Sequence, residues 1–184
     1  ADDSWIIDPG TLAEFAGNFT FQVNGMMEAD GTEANPIVFR SATSDYQGNI
    51  KMNPTPSPWP DYNQVSYWEI YKLVNGVEVQ NEYILQHFEI YQCDQGVIIP
   101  ERPEINLENF RIYDIQKYGI YCQYTSYSSN ATINITGGEI YNCGNYPDFD
   151  YAAAYFYFDD PYGSPGSRVL NLNIENLEVH DNIY

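Results

Sequence analysis

Apolar and polar positions alternate with period two in four segments that share one order of side chains: HFEIYQCDQGV from His87, NFRIYDIQKYGI from Asn109, GEIYNC from Gly138 and NLEVHDN from Asn176. The order is apolar, charged, Ile or Val, Tyr or His, a small amide or acid, then Cys, Ile or Asn. Such alternation puts successive side chains on opposite faces of a strand, and each run ends in a turn. Phe88, Ile90 and Cys93 then point inward, as do Phe110, Ile112 and Ile115, and Ile140 and Cys143. The central positions Ile90, Ile112, Ile140 and Val179 are separated by 22, 28 and 39 residues, which reads as one bare repeat with growing insertions. Strand-built repeats of this length fall in the solenoid range. A β-sandwich also alternates, but gives no reason for one side-chain order to recur at the same point of successive turns. On the outward side Glu89, Arg111 and Glu139 occupy equivalent places, so opposite charges become neighbours and support the stacking.

The amino-terminal half carries a different signature, VNGMMEADGTEANPIVFRSA, from Val23 to Ala42. Gly31 permits a tight turn, Pro36 sets the bend before the next strand, and Ile37 and Phe39 face a core while Val38 and Arg40 face out. Val23, Gly25, Met27, Ala29, Gly31, Thr32, Pro36, Ile37 and Phe39 match a strand of the form V-x-G-x-L-x-A followed by G-T-x-x-x-P-I-x-F. This stretch resembles the early rungs of bacterial secreted proteins with right-handed parallel β-helix repeats. The resemblance implies an all-β, right-handed parallel β-helix; it does not select a function, because that family hosts lyases, hydrolases, adhesins and surface proteins.

The expected organisation is a single domain over residues 1–184 with two longer loop insertions. Residues 1–52 form amino-terminal rungs, 53–67 a Pro-rich loop, 68–143 the central rungs, 144–168 an insertion and 169–184 a final, uncapped rung. Four prolines between Asn53 and Asn63 rule out a central strand there. Inside the second insertion the run AAAYFYF is expected to add a rung. Loops that leave equivalent turns collect on one face of a solenoid, where Trp59, Tyr62, Tyr146, Tyr151, Tyr155 and Tyr162 would be available to a ligand.

Composition narrows the partners. Seven Lys and Arg stand against 26 Asp and Glu, a formal charge of −19 that repels phosphate backbones and anionic headgroups and excludes nucleic acid. The same charge attracts cations, calcium among them, and penalises close assembly unless it is screened. No run of 18 apolar residues occurs, so no transmembrane helix is expected. The start, Ala1-Asp2-Asp3-Ser4, reads like the chain left after signal-peptide cleavage, and an extracellular or cell-surface location is expected. Sequons at Asn18, Asn130 and Asn134 arise readily by chance in a chain rich in Asn and Thr.

The candidate chemistry is sparse. Tyr91, Tyr113, Tyr141 and His180 form a regular outward column, expected as a ladder about 4.8 Å per step that either steadies the rungs or offers a flat glycan-binding platform. Asp148 with Asp150, and Asp159 with Asp160, are the carboxylate pairs available for a metal or for acid/base hydrolysis. His87 and His180 have no companion nucleophile. A lyase acting on acidic sugars would gather basic residues, whereas Lys51, Arg111, Lys117 and Arg168 are scattered. Cys93 and Cys143 share an inward column with Ile115 between them, too far apart for a disulfide, and Cys122 could reach at most one of them. No catalytic set and no obligatory cofactor emerge.

The final pattern, NLNIENLEVHDNIY, reads as a rung with no polar cap after it, and such an edge is a template for another chain. The function expected is therefore an extracellular structural or adhesive protein that stacks end to end on copies of itself or on neighbouring β-helix domains to form a fibre or surface layer. The alternative is a carbohydrate-binding module or a polysaccharide-degrading enzyme.

Overall fold

The computed structural model describes residues 4–53, 64–80, 82–100, 104–124, 131–145, 151–158 and 170–182. These residues are all-β, without helix, and their strands form two parallel sheets compatible with a β-solenoid. In chain order the strands are β1 (Ser4–Ile6), β2 (Leu12–Phe15), β3 (Thr20–Val23), β4 (Met26–Asp30), β5 (Ile37–Ser41), β6 (Asn49–Met52), β7 (Gln64–Ser66), β8 (Trp68–Tyr71) and β9 (Asn75–Val79). They continue as β10 (Glu82–Gln86), β11 (Glu89–Tyr91), β12 (Gln95–Ile99), β13 (Glu104–Tyr113), β14 (Ile120–Tyr124), β15 (Ala131–Tyr141), β16 (Ala154–Phe158), β17 (Leu170–Glu175) and β18 (Glu178–His180).

The chain visits three strand columns in turn. The first runs β1-β4-β7-β10 and the second β2-β5-β8-β11; the long strands β13 and β15 pass through both and join them, and with β17 and β18 they make one twelve-stranded sheet. The third column, β3-β6-β9-β12-β14-β16, is a separate six-stranded sheet. Every strand pair is parallel, and Ile70, Ile90, Ile112, Ile140 and Val179 pair in succession, as the repeat in the sequence requires. Ile90, Ile112 and Ile140 are fully buried; at the last rung Val179 is 49% exposed.

Two corners repeat from the third rung onward. Tyr67, His87, Asn109, Gly137 and Asn176 sit between the first and second columns with φ from 51 to 64°, and Lys72, Gln92, Asp114, Asn142 and Asp181 follow the second with φ from 50 to 58°. Left-handed backbone costs an L-residue roughly 1–2 kcal/mol, and Asn and Asp bear it best. Tyr67 and His87 offset part of that cost by stacking their rings at 4.8 Å, 9° from parallel.

Gly31 has an ordinary φ, and close approach is what demands a glycine there: a Cβ would lie 2.6 Å from the carbonyl oxygen of Tyr67. Cys93, Cys122 and Cys143 are buried free thiols, pushed up to about 12 by loss of solvent.

Two expected boundaries change. The segment expected as Pro-rich loop over 53–67 yields strand β7, where Val65 enters the core column of Ala29 and Leu85; the prolines themselves lie outside the described residues. Ala154–Phe158 does not add a rung. It pairs with β14 and completes the third column of a rung begun by β15, because its alternation matches a neighbour already waiting with an open edge.

Candidate functional site

The outward face of the second column is built from alternation alone. Inward residues Trp68, Ile70, Phe88, Ile90, Phe110 and Ile112 are buried, so the residues between them must face solvent. Two adjacent outward columns result. One is Val38, Glu69, Glu89, Arg111, Glu139 and Glu178; the other is Glu14, Arg40, Tyr71, Tyr91, Tyr113, Tyr141 and His180.

In the second of these, ring centroids lie 4.9, 5.0, 4.9 and 5.2 Å apart from Tyr71 through to His180, with planes within 13° of parallel. Each inner ring therefore has both faces covered by its neighbours and presents its edge and hydroxyl to solvent. A sugar seeking an open aromatic face does not find one along the middle of this ladder. What the geometry provides directly is rung-to-rung cohesion. Replacing Tyr113 by alanine removes two stacked contacts and is expected to cost about 1–3 kcal/mol in urea denaturation, whereas Tyr113→Phe should stay within about 0.5 kcal/mol.

Charge is threaded through the ladder. Tyr91 donates a 2.5 Å hydrogen bond to Glu69 Oε1. Its hydroxyl is pushed well above the usual phenol range by partial burial and then by that carboxylate. Tyr113 is pushed up to about 12, by burial first and by Glu89 next. Arg40 anchors the amino-terminal end, donating to Tyr71 Oη at 2.9 Å and to Glu14 Oε1 at 2.7 Å. Arg111 bonds Glu89 across the neighbouring column. At the other end His180 is held above its usual value by Asp181 Oδ2 at 2.9 Å and Glu139 Oε1 at 3.0 Å, so the imidazolium is favoured.

Beside the acid column runs an axial groove of about 900 Å³. Tyr67, His87 and Asn109 line it together with Glu69, Glu89, Arg111 and Glu139. On the first column Asn106, Asn134 and Asn173 make an amide ladder with hydrogen bonds of 2.6 and 2.7 Å. Asn134, one of the three sequons, is therefore engaged within the sheet.

The structure thus brings Tyr91, Tyr113 and Tyr141 together. Trp59, Tyr62, Asp148, Asp150, Asp159 and Asp160 lie outside the described residues. Among the described residues no group of three or more His, Cys, Asp or Glu side chains is arranged to hold a metal ion. Tyr71 and its rung escaped the sequence reading, although Trp68-Glu69-Ile70-Tyr71 carries the same order as the later repeats.

Taken together, the fold and this face define a class: parallel, strand-built rungs bearing an aromatic ladder and an acidic groove. Comparison with known protein families, curated proteins and solved structures finds no match.

Proposed function

We propose that this chain is a right-handed parallel β-helix serving as an extracellular structural or adhesive element, and that it stacks end to end on copies of itself. The observation that carries this reading is the last described rung. Ile174 is 46% and Val179 49% exposed, while Ile135 and Ile140, one rung below in the same columns, are fully buried. A further parallel rung, from a second copy or from another β-helix segment, would bury both and would pair the edges of β17 and β18 that have no strand partner among the described residues.

Charge favours a head-to-tail copy as that rung. His180 ends the aromatic column at one face and Glu14 begins it at the other, so stacking in register brings imidazolium to carboxylate. The net charge opposes association, and divalent cations such as calcium are the natural screen. Stacking of this heterologous kind does not close on itself and generates filaments.

The test is sedimentation velocity and negative-stain microscopy of the purified chain at rising concentration, with and without calcium. Filaments or a rising sedimentation coefficient are expected, and Val179→Lys should suppress them. Dispersed monomers at millimolar concentration in both conditions would overturn the reading.

A further inference from the structure

The outward face of the third strand column changes character along the molecule. One column of paired residues reads Gln22, Lys51, Glu78, Ile98, Tyr121, Tyr155. Its early part is charged, with Lys51 Nζ 2.8 Å from Glu78 Oε1. From Ile98 onward it carries no charge, and the neighbouring outward pair Gln123 and Tyr157 carries none either. In a chain with 33 charged side chains, the described outward residues of β12, β14 and β16 carry none and form an aromatic surface.

The tyrosines on it are packed differently from those of the ladder. Tyr121 and Tyr155 stack at 5.6 Å, 8° from parallel, and Tyr118 tilts against both. Tyr151 meets Tyr118 edge-on at 5.0 Å. Tyr155 and Tyr157, two residues apart on one strand, lie side by side with centroids 6.4 Å apart and planes within 7°. Being neighbours along the strand, they do not cover one another, and they are 38% and 41% exposed. Tyr121 Oη donates a 2.6 Å hydrogen bond to Gln123 Oε1, fixing polar groups at the edge of the rings.

We infer that Tyr155 and Tyr157, backed by Tyr121 and bordered by Gln123, form a shelf that binds a neutral glycan. Parallel, partly exposed rings offer apolar surface to the CH-bearing face of a pyranose, and phenol and amide groups at the rim serve its hydroxyls. The net charge of −19 selects against uronates and sulfated sugars and leaves uncharged sugars as the matching ligand. Tyrosine, rather than Leu or Met, gives a surface that stays partly solvated when empty. The shelf lies at the same end of the molecule as the proposed stacking face, because β16 is the outermost strand of the third sheet among the described residues, so a glycan bound there is expected to compete with an end-to-end copy.

Affinity electrophoresis of the full chain through gels containing a soluble β-glucan, a mannan or a xylan, with polygalacturonate as the acidic control, tests it; cellohexaose, mannohexaose and xylohexaose titrations give the affinities. Retardation by at least one neutral polymer and none by polygalacturonate is expected. The Tyr155→Ala/Tyr157→Ala variant should weaken binding at least about tenfold, the loss of two ring contacts, with far-UV circular dichroism unchanged. The single Tyr157→Gln variant gives the same direction with less perturbation of the strand, and Tyr113→Phe should bind as the native chain does. Absence of retardation by all three neutral polymers overturns the inference. So does native-like binding by both shelf variants, or a loss of self-association in those variants while the native chain binds no glycan, which would make the face a protein contact.

Discussion

Gly96→Val is expected to abolish cooperative folding, and even Gly96→Ala to cost about 3 kcal/mol or more in urea denaturation followed by circular dichroism. Gly76, Gly96 and Gly119 begin the third-column segment of successive rungs, and Ala153 takes the corresponding place on the next. A Cβ at Gly96 would lie 2.2 Å from the carbonyl oxygen of Gly119 and 3.2 Å from Ile112 Cγ2; at Gly119 it would lie 2.5 Å from the carbonyl oxygen of Ala153. The obstacle is backbone, not the end of a flexible side chain. Moving it away breaks the 2.9 Å hydrogen bond that Val97 N donates to Gly119 O, and so unpairs two rungs rather than displacing one residue. Gln95→Ala, one residue earlier and outward, removes only a 3.2 Å side-chain bond to Asn75 and should cost about 1 kcal/mol or less. Equal stabilities for the two alanine variants would contradict the close approach of the rungs at this turn.

That glycine column explains why the sequence disclosed one column and concealed another. The second column alternates cleanly, so Phe-x-Ile-x and Phe-x-Ile-x stand out at Phe88 and Phe110. In the third, Asn75–Val79 and Gln95–Ile99 each have two consecutive buried residues, Gly76-Val77 and Gly96-Val97, which breaks the period-two signal. The corners were equally hidden. Tyr67, His87, Asn109, Gly137 and Asn176 share a backbone conformation but no single side-chain type, so the column does not show as a repeated letter in the sequence.

The candidate site was legible as residues and not as surface. Alternation put Tyr91, Tyr113 and Tyr141 on one line, but whether rings present faces or edges depends on side-chain rotation, and at a spacing near 5 Å the rings turn their faces to one another. The shelf was less visible still. Tyr155 and Tyr157 can be read off AYFYF as one face of a strand, whereas their support, Tyr121, lies in a distant segment that only the pairing of β14 with β16 brings beneath them.

Ile112→Ala is expected to destabilise the chain by about 3–4 kcal/mol, and Val179→Ala in dilute solution by less than about 1 kcal/mol. The two residues lie in one column, two rungs apart. Ile112 is fully buried between Ile90 and Ile140, themselves fully buried, so deleting its methyl groups leaves a cavity that stacked backbones on both sides cannot collapse to fill. Val179 has a neighbour on one side only and is half in solvent, so alanine there forfeits transfer energy and leaves no enclosed void. The contrast also reports on end-to-end stacking. If a second copy covers the last rung, Val179 becomes as enclosed as Ile112, and its alanine penalty must grow with protein concentration while that of Ile112 does not. Denaturation midpoints for both variants at micromolar and at near-millimolar protein separate the cases. A Val179→Ala penalty constant across that range removes the end-to-end reading and leaves the columns intact, whereas an Ile112→Ala penalty as small as that of Val179→Ala removes the columns themselves.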